Sequence, residues 1–211
     1  MSGVTCFAVR LLLAFGILGL AAFSSAERLI YIPTAHKILN GTVKYELRSE
    51  TGKHSRFENY LGVGVGDSWE FEVRSQGTRL DNQVGTVDVT YNLISPITGI
   101  TPGFAFGVQD IADQTSSGPR PFFVTTFRDG YYVAGGEVPG EVTVGITSEG
   151  RRIYPLVGVS IPFSKRVRFL GENDGIRNSI GAEYRPMKDF ALRAIVRNRT
   201  TLLGFQLSGR F

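Results

Sequence analysis

Through the closing stretch of this chain, every second residue is apolar. From Thr200 onward, Leu203, Phe205, Leu207 and Phe211 fall on one parity and Gly204, Gln206, Ser208 and Arg210 on the other. A period of two is the mark of a strand with one apolar and one polar face. The pattern recurs from residue 42 onward. Val43, Tyr45 and Leu47 oppose Lys44, Glu46 and Arg48. Trp69, Phe71 and Val73 oppose Glu70, Glu72 and Arg74, and Ile180, Ala182 and Tyr184 oppose Gly181, Glu183 and Arg185. Helical periodicity is absent over the same span. The alternation predicts an all-β chain of about 12 strands (10–12), separated by turn residues such as Gly66-Asp67. Residues 29–39, with Pro33 inside them, read as an entry segment, and residues 122–127 as one short strand. The glycine- and tyrosine-rich residues 128–140 give no clear pattern.

Two architectures produce such alternation. A soluble β-sandwich turns its apolar parity inward. A transmembrane antiparallel β-barrel turns it to lipid and lines its lumen with the polar parity. The barrel is the better fit. Aromatic residues sit near strand ends on the apolar parity (Tyr45, Phe57, Trp69, Tyr91, Phe163), as interfacial girdles require. The opposite parity mixes charges with glycines at 62, 64, 107, 145, 158, 181 and 204, which relieve crowding in a narrow lumen. A secreted soluble sandwich stays open as an alternative, because alternation is symmetric under exchange of the two faces.

The N-terminus reads as an export signal. Arg10 precedes an apolar-plus-glycine run over residues 11–23, and Ser24-Ser25-Ala26 offers small residues for cleavage. The run is short of the roughly 20 residues a spanning helix needs. The expected organisation is residues 1–26 as signal peptide and 27–211 as barrel. Cys6, the one cysteine, precedes the run and would leave with the signal, so no disulfide or thiol chemistry is expected. A net charge of +4 without a basic run gives no reason to expect nucleic acid as a partner.

In the barrel reading the polar parity supplies the functional candidates. Arg166, Arg168, Arg185, Arg193, Arg197 and Arg210 would form a cationic wall, with Glu46, Glu70, Glu72, Asp88 and Glu183 as acidic partners. Such charges must be paired or hydrated. They either lace the barrel together or attract an anionic solute, since rings of basic side chains select anions. Enzymatic chemistry finds little support. His36 and His54 have no nucleophile at useful spacing and read as surface or turn residues. Asp110 with Asp113, or Glu172 with Asp174, could touch calcium in a loop, but neither follows a recognised pattern, so no metal or cofactor is assigned.

Three stretches carry a resemblance. The terminal Phe211 on an amphipathic strand resembles the closing strand of bacterial outer-membrane barrels, where that residue is part of the signal read by the barrel assembly machinery. Pro102-Gly-Phe-Ala-Phe-Gly-Val-Gln-Asp-Ile111, followed by Phe122-Phe-Val-Thr-Thr-Phe127, resembles the first motif of the YjbH-like outer-membrane proteins. Phe169-Leu-Gly-Glu-Asn-Asp-Gly-Ile-Arg-Asn-Ser-Ile-Gly-Ala-Glu-Tyr-Arg-Pro186 is similar to the second, with Asp110, Asp174 and Gly175 at matching positions. The resemblance implies a barrel in outer-membrane lipid, linked in some relatives to exopolysaccharide production or export. The chain is shorter than the long members and lacks their lipoprotein cysteine. The expected function is a narrow channel or an accessory in envelope polysaccharide handling, with an anionic solute or polysaccharide as partner. The alternatives are a plugged structural barrel and a lipid-active barrel enzyme.

Overall fold

The computed structural model describes residues 28–52, 56–78 and 83–211. The expected signal peptide, its cleavage point, Cys6 and His54 lie outside them. Twelve strands form one closed, wholly antiparallel barrel, and among the described residues no helix occurs. They are β1 (Thr42–Glu50), β2 (Phe57–Val65), β3 (Trp69–Gly77), β4 (Gln83–Ile94), β5 (Gly103–Gln109) and β6 (Arg120–Val133). There follow β7 (Gly136–Glu149), β8 (Arg152–Pro162), β9 (Val167–Asn173), β10 (Asn178–Met187), β11 (Phe190–Arg197) and β12 (Thr200–Arg210). Each pairs with its neighbour in sequence. The ring closes where β1 meets β12 in nine register pairs, from Thr42 opposite Arg210 to Glu50 opposite Leu202. An even strand count puts the start of β1 and the end of β12 at the same rim, here the terminal rim; the opposite one is the far rim.

The parity ambiguity resolves in favour of the barrel. Leu61, Trp69, Val73, Ile146 and Leu203 are each about half exposed on the outer surface, whereas Glu46, Arg48, Glu183 and Arg193 are 3 % exposed or less inside. A soluble sandwich would bury the first set and expose the second. This inversion is how a transmembrane barrel is built. Aromatic pairs concentrate on the outer surface toward the terminal rim. Trp69 stands edge-on to Tyr91 at 4.8 Å between ring centroids, and Tyr45 and Phe190 both meet Phe205. Such rings suit the boundary between hydrocarbon and headgroups.

Two regions differ from expectation. Residues 122–127 are the middle of a 14-residue strand, and the patternless stretch after them continues it. β6 and β7 run on as a paired ribbon, with Tyr131 opposite Val138 and Tyr132 opposite Glu137, beyond the terminal rim. Gly135 and Gly136 turn the ribbon at φ of 104° and 123°, a region side-chain-bearing residues avoid. Most side chains of the ribbon are exposed, with Val138 buried, so alternation is not enforced along it. Residues 29–39, expected as an entry segment, turn inward and occupy the lumen, as described below.

The outward face makes a direct prediction. Val73, at the middle of β3, is replaced by arginine, with urea unfolding followed in lipid vesicles. A lipid-facing arginine at that depth costs about 2–4 kcal/mol, so V73R lowers stability by that order. An unchanged stability would mean Val73 does not face hydrocarbon.

Candidate functional site: a lumen filled by the N-terminal segment

The lumen is two-sided. Along β1–β4 its wall is polar, with Lys44, Glu46, Arg48, Glu58, Glu70, Glu72 and Asp88 on the inward parity. Elsewhere the inward parity includes apolar side chains: Ala105, Phe122, Val124, Leu156, Leu170, Ile195 and Leu202, all buried. Apolar groups facing a water-filled pore would gain nothing from burial. Here they pack on the chain itself, because Leu29, Ile30, Tyr31, Ile32 and Ala35 join them in one core cluster inside the barrel. Each fully buried leucine or isoleucine of the cluster contributes on the order of 1.5–3 kcal/mol.

The segment is also held by its backbone. It has no strand partner, so its amides must be satisfied by wall side chains. Consecutive amides of Ile30, Tyr31 and Ile32 all donate to the Glu172 carboxylate, at 2.9–3.2 Å. The Ala35 amide donates to the Thr126 hydroxyl at 2.9 Å, which in turn bonds the Thr143 hydroxyl. The Ile38 amide donates to Glu70, and Arg48 donates to the Ile30 carbonyl at 2.7 Å. Tyr31 and Tyr60 hydroxyls share Glu58, each at 2.9 Å. The Arg197 guanidinium stacks over the Tyr31 ring at 3.6 Å. Arg28, the first described residue, is folded back into the lumen, where it pairs with Glu72 and lies 3.3 Å from Asp88. Lumen glycines make the room. A Cβ on Gly158 would lie 2.5 Å from Ile32 Cδ1 and 2.6 Å from Leu29 Cδ2, and one on Gly62 would lie 3.0 Å from Ile38 Cδ1.

Around this plug the wall charges form a braced network. Arg48 Nε donates to Glu46 at 2.8 Å, and Arg193 reaches the same carboxylate at 3.2 Å. Arg193 also pairs with Glu183 at 2.7 Å, and Glu183 takes Arg185 at 2.5 Å. The row runs from β1 to β10 and crosses β12 at Gly204, which sits opposite both Arg48 and Arg193 in register. A side chain there would start 2.9 Å from Arg48 Cγ and block the bridge.

The expected cationic wall is therefore divided. Arg185 and Arg193 belong to the row just described, and Arg197 pairs with Asp174 at 2.6 Å near the far rim. Arg166 and Arg210 are exposed at the terminal rim, with Arg168 partly buried beside them. The six spread along the barrel axis instead of gathering in a ring. Of the acidic set, Glu46 and Glu183 meet these arginines, whereas Glu70 and Glu72 serve the plug and Asp88 takes Arg74 at 2.8 Å. His36 is not a surface residue: it lies on the plug with Nδ1 3.3 Å from the buried Glu141, which Arg128 also approaches at 3.5 Å. Asp110 and Asp174 are turn residues, Asp110 at a φ of 54° and Asp174 just before Gly175 at 85°. Among the described residues no group of three or more histidines, cysteines or carboxylates is arranged to hold a metal ion. Sequence reasoning missed Glu58, Tyr60, Glu141 and Glu172 as lumen groups. Parity alone would have placed all four inward.

Two outcomes follow from this network. Removing one member of a buried ion-pair row leaves its partner uncompensated, at a cost of about 3–5 kcal/mol. R193A should therefore unfold in urea with a loss of that order, and a loss below 1 kcal/mol would show that Glu46 and Glu183 do not depend on Arg193. The second concerns acid. Burial pushes the Asp110 carboxyl up, but the Thr115 hydroxyl, the amides of Gln114 and Thr115 and the nearby Arg74 outweigh it, so its pKa is lowered. A lowered folded-state pKa contributes stability that is complete above the ordinary carboxylate range and is lost as pH falls through the folded value. The protection of the amides of residues 110–115, relative to their intrinsic exchange rates, should fall below about pH 4, and D110N should remove that acid sensitivity. Identical acid profiles for wild type and D110N would contradict the assignment.

No family model matches the chain, and no curated protein matches it by sequence. Among solved structures it is similar to the NanC porin, at 11 % identity and a TM-score of 0.46, covering 80 % of this chain and 99 % of that one. It is also similar to the N-terminal β-barrel domain of Pseudomonas aeruginosa OprF, at 9 % identity and a TM-score of 0.27, covering 80 % of this chain and 98 % of that one.

Proposed function

We propose that this chain is a bacterial outer-membrane barrel whose lumen is closed by its own residues 28–39, and that it serves the envelope as an accessory protein without enzymatic activity. One observation carries the reading: a segment with no strand partner of its own fills the barrel interior, and wall carboxylates and hydroxyls bind its backbone. A solute crossing the barrel would have to displace that segment. The apolar outer surface supports the membrane location, since lipid is the solvent that accepts such a face. The same proposal sets the terminal rim at the periplasm, where Phe211 is available to the assembly machinery. A role in exopolysaccharide handling belongs to the same proposal and is supported by the resemblance of residues 102–127 and 169–186 to the YjbH-like proteins.

A gated narrow channel is the second reading. It is favoured because the plug is one continuous stretch that, among the described residues, is joined to the wall by chain only at Thr42, so it could leave without breaking any of their strand ladders.

Planar-bilayer recording separates the two and tests the first. The refolded chain from Glu27 to Phe211 should insert, as shown by a heat-dependent gel shift, and give no discrete conductance steps. The same chain lacking residues 28–39 should give steps. Steps from the intact chain would overturn the closed-barrel reading, and no steps from the inserted deletion variant would show that something other than this segment fills the lumen.

A further inference from the structure

Above the plug, the lumen opens into a cup at the far rim. Its floor is Tyr31, Ile32 and Pro33 of the plug with Leu156 of β8, and its volume is about 300 Å³, enough for one sugar-sized ligand. The lining is strongly polar and is unevenly divided. Five arginines reach it: Arg56, Arg74, Arg120, Arg177 and Arg197. Four of these lie on one arc of the ring, running from β3 through β2 and β11 to the β9–β10 turn. The opposite arc, where β5 leads into β6, presents Gln109, Thr115, Ser116 and Ser117.

The four carboxylates of the cup are already engaged. Glu58 takes the two tyrosine hydroxyls, and Asp110 takes two amides and the Thr115 hydroxyl. Asp174 pairs with Arg197, and Glu149 lies 3.7 Å from Arg120. Arg74 is turned to Asp88. Among the described residues two cations remain: Arg56 bonds the neutral Gln76 amide oxygen, at 2.8 Å, and Arg177 is exposed on its turn. Among the described residues neither guanidinium faces a carboxylate within ion-pair distance. A guanidinium that is not internally matched offers a planar fork to a carboxylate or phosphate. Hydroxyl and amide groups across a space of this size suit a ligand with its own hydroxyls.

From this we infer that the far-rim cup is a binding site for an anionic sugar, the acid group held by Arg56 and Arg177 and the hydroxyls by the Gln109–Ser117 arc. The inference deepens the envelope reading, resting on it for which rim faces outward, while the site itself can be tested on the isolated barrel.

The test is titration of the folded, intact barrel in detergent micelles by calorimetry. Glucuronate, glucose and inorganic phosphate are the probes. Glucuronate should bind saturably, at least tenfold more tightly than glucose or phosphate, and more weakly as salt rises. The R56Q/R177Q double variant should lose at least tenfold in glucuronate affinity. Both positions lie outside the strands, and the gel shift confirms folding. S116A/S117A should weaken glucuronate while leaving phosphate unchanged. No saturable glucuronate binding, or equal affinity in the R56Q/R177Q variant, overturns the site. Phosphate bound as tightly as glucuronate overturns the sugar assignment. None of these results alters bilayer conductance, so a failure here and a failure of the closed-barrel reading are distinguishable.

Discussion

The fold depends on closure. A strand wall in hydrocarbon cannot leave a row of backbone amides unpaired, and the only way for a sheet to have no edge is to join its ends. Here that junction is the pairing of β1 with β12, nine residues long, which makes the last strand a structural requirement and not a tail. Once the ring closes, parity is decided for all twelve strands at once. The apolar faces meet lipid, and the charged residues along the middle of the other parity are enclosed with their neighbours, while Arg210 at the terminal rim stays exposed. The interior chemistry is a consequence of that enclosure.

Enclosed charge is expensive unless matched, and the interior is organised around matching. The row from Arg48 through Glu46, Arg193 and Glu183 to Arg185 ties β1, β10 and β11 across the seam, over the gap left by Gly204. The plug solves the same problem for backbone. Three successive amides on one Glu172 carboxylate take the place of a sheet partner, and the apolar side chains between them cover the inward-facing Val124, Leu156 and Ile195. The segment is thus both a core for a barrel that would otherwise be hollow and a floor that divides the lumen from the far-rim cup.

Period-two alternation made the fold legible. The strand positions and the shared face of Glu46, Glu183 and Arg193 follow from it; that this face is the inner one follows from the closed barrel. What alternation cannot convey is who meets whom across the ring. Glu172 lies 141 residues from Tyr31, whose amide it binds, and no local pattern encodes that pairing. Parity gives a face but not a height, so by sequence Arg210 at the terminal rim and Arg197 near the far rim are equivalent members of one wall. The sequence does carry one sign of the plug. Leu156, Ile195 and Leu202 sit on the polar parity, where a hydrated pore has no use for them. Together with the apolar residues of 29–38, they are the two halves of one buried cluster.

The central claim is that residues 28–39 reside inside the barrel, and amide hydrogen exchange on the refolded chain tests it most directly. The amides of Ile30, Tyr31, Ile32, Ala35 and Ile38 are bonded to wall side chains and should exchange slowly, on the scale of the strand amides. If those five exchange as fast as a free peptide while β1–β12 stay protected, the segment is not in the lumen and the closed-barrel account is wrong.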